Sequence, residues 1–186
     1  MSAVRATRLL LLLALPLAGA SCLVVSLHPA YDAETIAFEP ALVGDWISED
    51  DHARLTIERG EWHSYHVTLD EDGDVTRVSA RLTRVGDLQL LDVEPLDGTE
   101  LPPLQLAVHT VYRVAVDADT LTLAALDYDR FFAMARDANP AMNLVLDERK
   151  NVVITAPTGE YRHWLEAHQA DAGLWAEPVV LKRKAP

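Results

Sequence analysis

The stretch "EWHSYHVTLDEDGDVTRVSARLTRVGDLQL", Glu61 to Leu90, decides the fold class of this 186-residue chain. Apolar and polar residues alternate through it with a period of two, the signature of half-buried strands. His63, Tyr65, Val67 and Leu69 fall on one face of the first run. Asp72-Gly73 interrupts it, and that dipeptide favours a tight hairpin because both central residues of such a turn take positive φ. The return run puts Val78, Ala80 and Leu82 on one side and Arg77, Ser79, Arg81 and Thr83 on the other. Gly86 then opens the next turn, ahead of "DLQLLDV".

The same period extends both ways. Upstream lie "LVGDWIS" and "RLTIE"; downstream, "LQLAVHTVYRVAV" places Leu106, Val108, Thr110, Tyr112, Val114 and Val116 together, and "ADTLTLAAL" closes a further hairpin. "NVVITA" and "EPVVLKR" read as later strands. Two segments change to the helical period. "DYDRFFAMARDANP" carries Phe131, Met134 and Ala135 on one stripe and is stopped by Pro140. "PTGEYRHWLEAHQADAG" has Tyr161, Trp164, Leu165 and His168 at i, i+3, i+4 and i+7, with Thr158 as its expected N-cap. Many short antiparallel strands at close spacing predict a mainly β fold. The expectation is an antiparallel barrel or strongly curved sheet with two packed helices, forming one domain over residues 41–186.

The amino terminus is of another kind. Arg5 and Arg8 precede an apolar core, Leu9 to Leu17, followed by the small residues Ala18 to Ser21. That order is the pattern of a secretory signal peptide. Leu9 to Leu27 is 19 uncharged residues, close to the roughly 20 of a membrane-spanning helix, but Pro16, Gly19, Ser21 and Ser26 favour the signal peptide. Ala18-Gly19-Ala20 fits a cut after Ala20. "AGASC" also resembles the bacterial lipobox, which implies cleavage after Ser21 and acylation of Cys22. Cys22 is the only cysteine of the chain, and an exposed thiol is a liability in the oxidising surroundings of exported proteins. Lipidation removes it, and two or more acyl chains hold a protein stably to a bilayer where one does not. The expected organisation is a signal peptide over 1–21, a lipidated cysteine and linker over 22–40, and the β domain from 41.

Gly44-Asp45-Trp46 has the G-x-W form of the first strand of lipocalins, where the tryptophan closes one end of a barrel. Together with "PALVGDW", "YHVTLDEDG", "LQLLDVEP", "VHTVYRV" and the helix running to "GLW", the chain resembles a group of uncharacterised bacterial lipoproteins with a lipocalin-like β domain. The resemblance implies a periplasm-facing, lipid-anchored place in the cell envelope. It implies no activity. Leu23, rather than Asp, after the cysteine favours the outer membrane by resemblance to Gram-negative sorting.

Of the 16 basic residues two lie in the leader, which leaves 14 against 29 acidic ones and a net charge of −15 from Cys22 onward. That charge excludes nucleic acid and a basic membrane-binding patch, so attachment falls to the acyl chains. No cofactor fingerprint or catalytic motif occurs, and the chain reads as a non-enzyme. His63 and His66 form an H-x-x-H that on a strand points to opposite faces and does not chelate a metal. "DEDGDV" lacks the later residues of a calcium loop and reads as a hairpin turn. Ser64 or Ser79 could meet one of the seven histidines only by chance of folding, and His109 reads as a satisfied structural histidine. Tyr65 and His63 are the candidate ligand-binding residues, expected to point inward with Val67 and Leu69 and to give an apolar cavity its polar contacts. Besides the membrane, the expected partner is a small apolar ligand in the barrel or, alternatively, an envelope protein on its surface.

Overall fold

The computed structural model describes residues 23–49, 52–96, 106–137 and 141–184; the expected leader, Cys22 and Pro140 lie outside them. The strands are β1 (Val24–Ser26), β2 (Ile36–Ala37), β3 (Gly44–Ser48), β4 (Ala53–Arg59), β5 (Ser64–Glu71), β6 (Asp74–Val85), β7 (Leu88–Pro95), β8 (Thr110–Asp117), β9 (Thr120–Ala125), β10 (Leu144–Leu146), β11 (Val152–Ile154) and β12 (Val179–Arg183). The helices are α1 (Tyr128–Ala135) and α2 (Thr158–Ala167).

Strands β3 to β9 pair antiparallel in chain order, β7 also pairs with β6, and β12 lies between β9 and β3. The result is a closed antiparallel barrel of eight strands, which leaves no free sheet edge. The extra strand β2 takes the edge of β6 beyond the reach of β5, with Ile36 opposite Thr83. Turn chemistry explains the registers. Glu71 pairs with Asp74 across Asp72 (φ 52°) and Gly73 (φ 93°), the two-residue loop with both φ positive that the Asp-Gly pair favours.

Alternation sorts the side chains into two cores. Trp46, Leu55, Ile57, Tyr65, Val67, Leu69, Val78, Ala80, Leu82, Leu91, Val93, Val114, Leu121, Leu123 and Leu181 point into the barrel. The opposite faces of β6 to β9 supply Val85, Leu88, Leu90, Val111 and Ala124 to a second core. There they meet Phe131 of α1, Tyr161, Trp164 and Leu165 of α2, and the inward residues of a small sheet, β1-β11-β10. β7 is therefore covered on both sides, which is why its sequence is nearly continuously apolar.

Two expectations are corrected. Thr158 is not the cap of α2 but its first residue; Pro157 holds the cap position without a side-chain bond. α1 has the side-chain cap, Asp127 accepting from the Arg130 amide at 2.8 Å. Residues 22–40, expected as a linker, belong to the folded body from Leu23 on. β1 pairs parallel with β11. Ala30 is fully buried, and its amide donates to Asp92 at 2.6 Å. Arg162 donates to the Ala30 carbonyl as well and reaches Asp32 at 3.6 Å.

Candidate functional site

The tryptophan of the G-x-W motif lies in the barrel core. A 3₁₀ turn, Pro40–Leu42, leads into β3 and buries Leu42 in the barrel core. Trp46 is 1% exposed, and its Nε1 donates to the Leu42 carbonyl at 2.9 Å. Arg183, on β12 beside β3, lays its guanidinium over the Trp46 ring at 4.1 Å and donates to the carbonyls of Val43 (3.0 Å) and Ala41 (2.7 Å). A Cβ at Gly44 would strike that guanidinium, and its φ of +143° suits glycine. Arg183 thus binds the 3₁₀ turn, Trp46 and the last strand together, a role the sequence reading did not single out.

Tyr65 does point into the barrel, fully buried. Its hydroxyl is not free for a ligand. It accepts from the Glu39 amide at 2.7 Å and faces the Glu39 carbonyl at 3.3 Å. The ring stacks on Phe38 at 5.1 Å, and Arg59 lies over Phe38 at 4.8 Å. Burial pushes the phenol pKa above its ordinary value. Tyr65→Phe should cost about 1 kcal/mol, because the Glu39 amide loses its acceptor while the packing stays. Denaturant unfolding reads this as a lower midpoint with an unchanged slope.

His63 is not on the strand. It sits exposed in the β4–β5 turn with φ 62°, next to Trp62 with φ 50°, and its ring lies 6.3 Å from Phe38. The expected inward pair is therefore not assembled: Tyr65 is inside and His63 outside. His66 does lie on β5, half-buried.

The main polar cluster lies outside the barrel, where the amino-terminal segment crosses β6 and β7. Asp92 shares the outward parity of Leu88 and Leu90 and is 1% exposed. Its Oδ1 lies 2.7 Å from His109 Nδ1, and its Oδ2 accepts from Ala30. His109 Nε2 lies 3.9 Å from Glu94. Glu94 is paired with Arg81 and accepts from the Tyr31 hydroxyl at 3.2 Å. The Tyr31 ring meets His109 edge-on, and Arg81 lies over that ring. Fully buried Tyr161 feels the Asp92 charge: burial first, then that carboxylate, raises its pKa.

Both nitrogens of His109 are turned toward carboxylates, and the ring is nearly enclosed. An imidazole so placed orients and holds; it is not aimed at an open cleft as a general base must be. The backbone of His109 does the same work, exchanging hydrogen bonds of 2.8 and 2.9 Å with Ser26. The cluster is a clamp that fixes the amino-terminal segment to the barrel wall. The structural reading of His109 stands, with Asp92, Glu94, Tyr31 and Arg81 as partners that the sequence did not announce. A polar cleft at His52, Arg54, Asp70, Asp72 and Gly73 marks the β5–β6 hairpin, where His52 Nδ1 lies 2.9 Å from Asp72.

Fold and site together define a closed up-and-down barrel with a buried tryptophan held by Leu42 and Arg183 and a clamped amino-terminal strap. No family model, curated protein or solved structure matches the chain.

Proposed function

We propose that this protein is an exported, lipid-anchored component of the bacterial envelope whose barrel is a rigid scaffold that presents its outer surface to other envelope components. The observation that carries the scaffold reading is the state of the barrel interior. A void wide enough for a ligand would leave its wall side chains exposed to it. Sixteen apolar residues from Leu42 to Leu181 form a buried cluster inside the barrel, and Tyr112, Val116 and Val179 pack against it partly buried. Barrels of about eight strands have room for either side chains or one small ligand, and a cluster of this extent supports the side chains. The candidate polar contacts point the same way, because Tyr65 is bonded to the backbone and His63 is outside.

The lipid anchor is carried by the leader, the small residues before Cys22 and the absence of any other thiol. Among the described residues no helix is long and apolar enough to cross a membrane.

One preparation tests both parts. The protein is purified gently from its own host and weighed intact under native conditions. The expected mass is that of a chain beginning at acylated Cys22, with no further small molecule retained. An apolar compound that stays bound, and is lost on Tyr65→Ala, overturns the scaffold reading. A mature terminus without acyl groups overturns the anchor.

A further inference from the structure

The small sheet is apolar on both faces. Its inward residues, Val24, Val152, Ile154 and Leu144, belong to the second core. On the outward face, Val25 pairs with Val153 and Val153 with Val145, so that one row of valines crosses all three strands. Val25 and Val153 are half-buried and Val145 is 50% exposed. Leu23 precedes them on the same parity, also half-buried. The residues flanking β11, Asn151 and Thr155, are neutral, and the first charge after β10 is Asp147 in the turn. An outward sheet face is ordinarily polar, and this chain carries 29 acidic residues. A row of valines with no charge among them, ending in exposed Val145, suits an apolar partner.

The position of the row says which. The described residues begin at Leu23, already tied to the small sheet: its amide donates to Asn151 Oδ1 at 3.1 Å, and its carbonyl accepts from the Val152 amide at 2.7 Å. Cys22 is one peptide bond away. A residue spans at most about 3.6 Å, so the anchored thiol-bearing residue lies within about 11 Å of Val25 along the chain. No spacer separates the acyl chains from the sheet.

We propose that the outward face of β1, β11 and β10, with Leu23, Val25, Val153 and Val145, lies against the bilayer that holds the Cys22 acyl chains. This rests on the lipid-anchored reading above. The domain then sits flush on the membrane rather than hanging from a tether, and the membrane covers its exposed valines.

Acylation of the single native cysteine leaves any introduced thiol as the one free label site. Full-length lipidated Val145→Cys and Val75→Cys proteins are labelled with bimane and reconstituted into vesicles of phosphatidylethanolamine with a minor fraction of phosphatidylglycerol. Val75, on the β5–β6 hairpin, is 43% exposed and serves as the control. Nitroxide-bearing lipid should quench the label at position 145 several-fold more than the label at 75. Equal quenching overturns the inference, and an acylated terminal mass from the same sample then leaves the anchor standing. An unacylated mass, with the protein absent from the vesicle fraction, removes both readings.

Discussion

Trp46→Ala should lower the unfolding free energy by about 3–5 kcal/mol, among the largest losses a single core truncation gives. Three things leave at once. The ring, 1% exposed, vacates the barrel core. The Leu42 carbonyl loses its donor. The Arg183 guanidinium loses the ring it lies on, so its bonds to Ala41 and Val43 are no longer held from below. For a domain of this size, about 2–4 °C per kcal/mol turns that into a drop of roughly 6–20 °C in Tm. Thermal unfolding followed by circular dichroism checks it. Trp46→Phe, which keeps a ring but no Nε1–H, should fall between the two. A loss below 1 kcal/mol for the alanine variant would mean that the barrel core closes over the missing ring.

Asp92→Ala should be of similar size, about 3–5 kcal/mol, for a different reason. Removing one partner from a buried hydrogen-bonded cluster leaves the other groups desolvated and unmatched. The Ala30 amide and His109 Nδ1 both lose their acceptor. The damage should also be local in a way the Trp46 change is not. Amide hydrogen exchange of residues 24–35 should accelerate far more than that of β3 to β5, because the strap is released while the barrel wall remains paired. Uniform acceleration throughout would mean that Asp92 supports the whole fold and is no clamp. Asn at 92 should recover part of the loss, since its single carbonyl can serve Ala30 or His109 but not both.

The barrel was legible because its information is local. Alternation in residues 64–85 and the Asp72-Gly73 pair set two strands, their turn and their inward faces without reference to the rest of the chain. The same local rule overreached at His63. Alternation in the sequence runs back through that residue, but Trp62 and His63 take positive φ. The last steps of the pattern thus belong to a turn and not to a strand. Gly44 and Trp46 were readable as a motif, whereas the partner that gives the motif its reason, Arg183, enters from the far end of the chain. Asp92 was hidden inside "LQLLDVEP", where an acid in an apolar run gives no sign that the opposite face of the strand is covered too. The linker reading of the residues from Leu23 to Pro40 missed a folded segment. β1 is three residues long and parallel, and its bond from Leu23 to Asn151 spans 128 positions. Nothing in such a short run shows that it will find a distant strand, and prolines with mixed composition look the same in a strap as in a spacer.

That strap also sets an order of events in folding. β1 is at the start of the described chain and β11, its strand partner, near the end; β3 likewise closes the barrel against β12. Contacts so distant in sequence must overcome a large loop-closure entropy before they reward the chain, and they slow folding accordingly. A chain made amino terminus first can form the hairpins from β4 to β9 as they appear, but the small sheet waits for β11 and the barrel for β12. β1 therefore gains its fixed place only after most of the described chain is present, although it comes first among the strands.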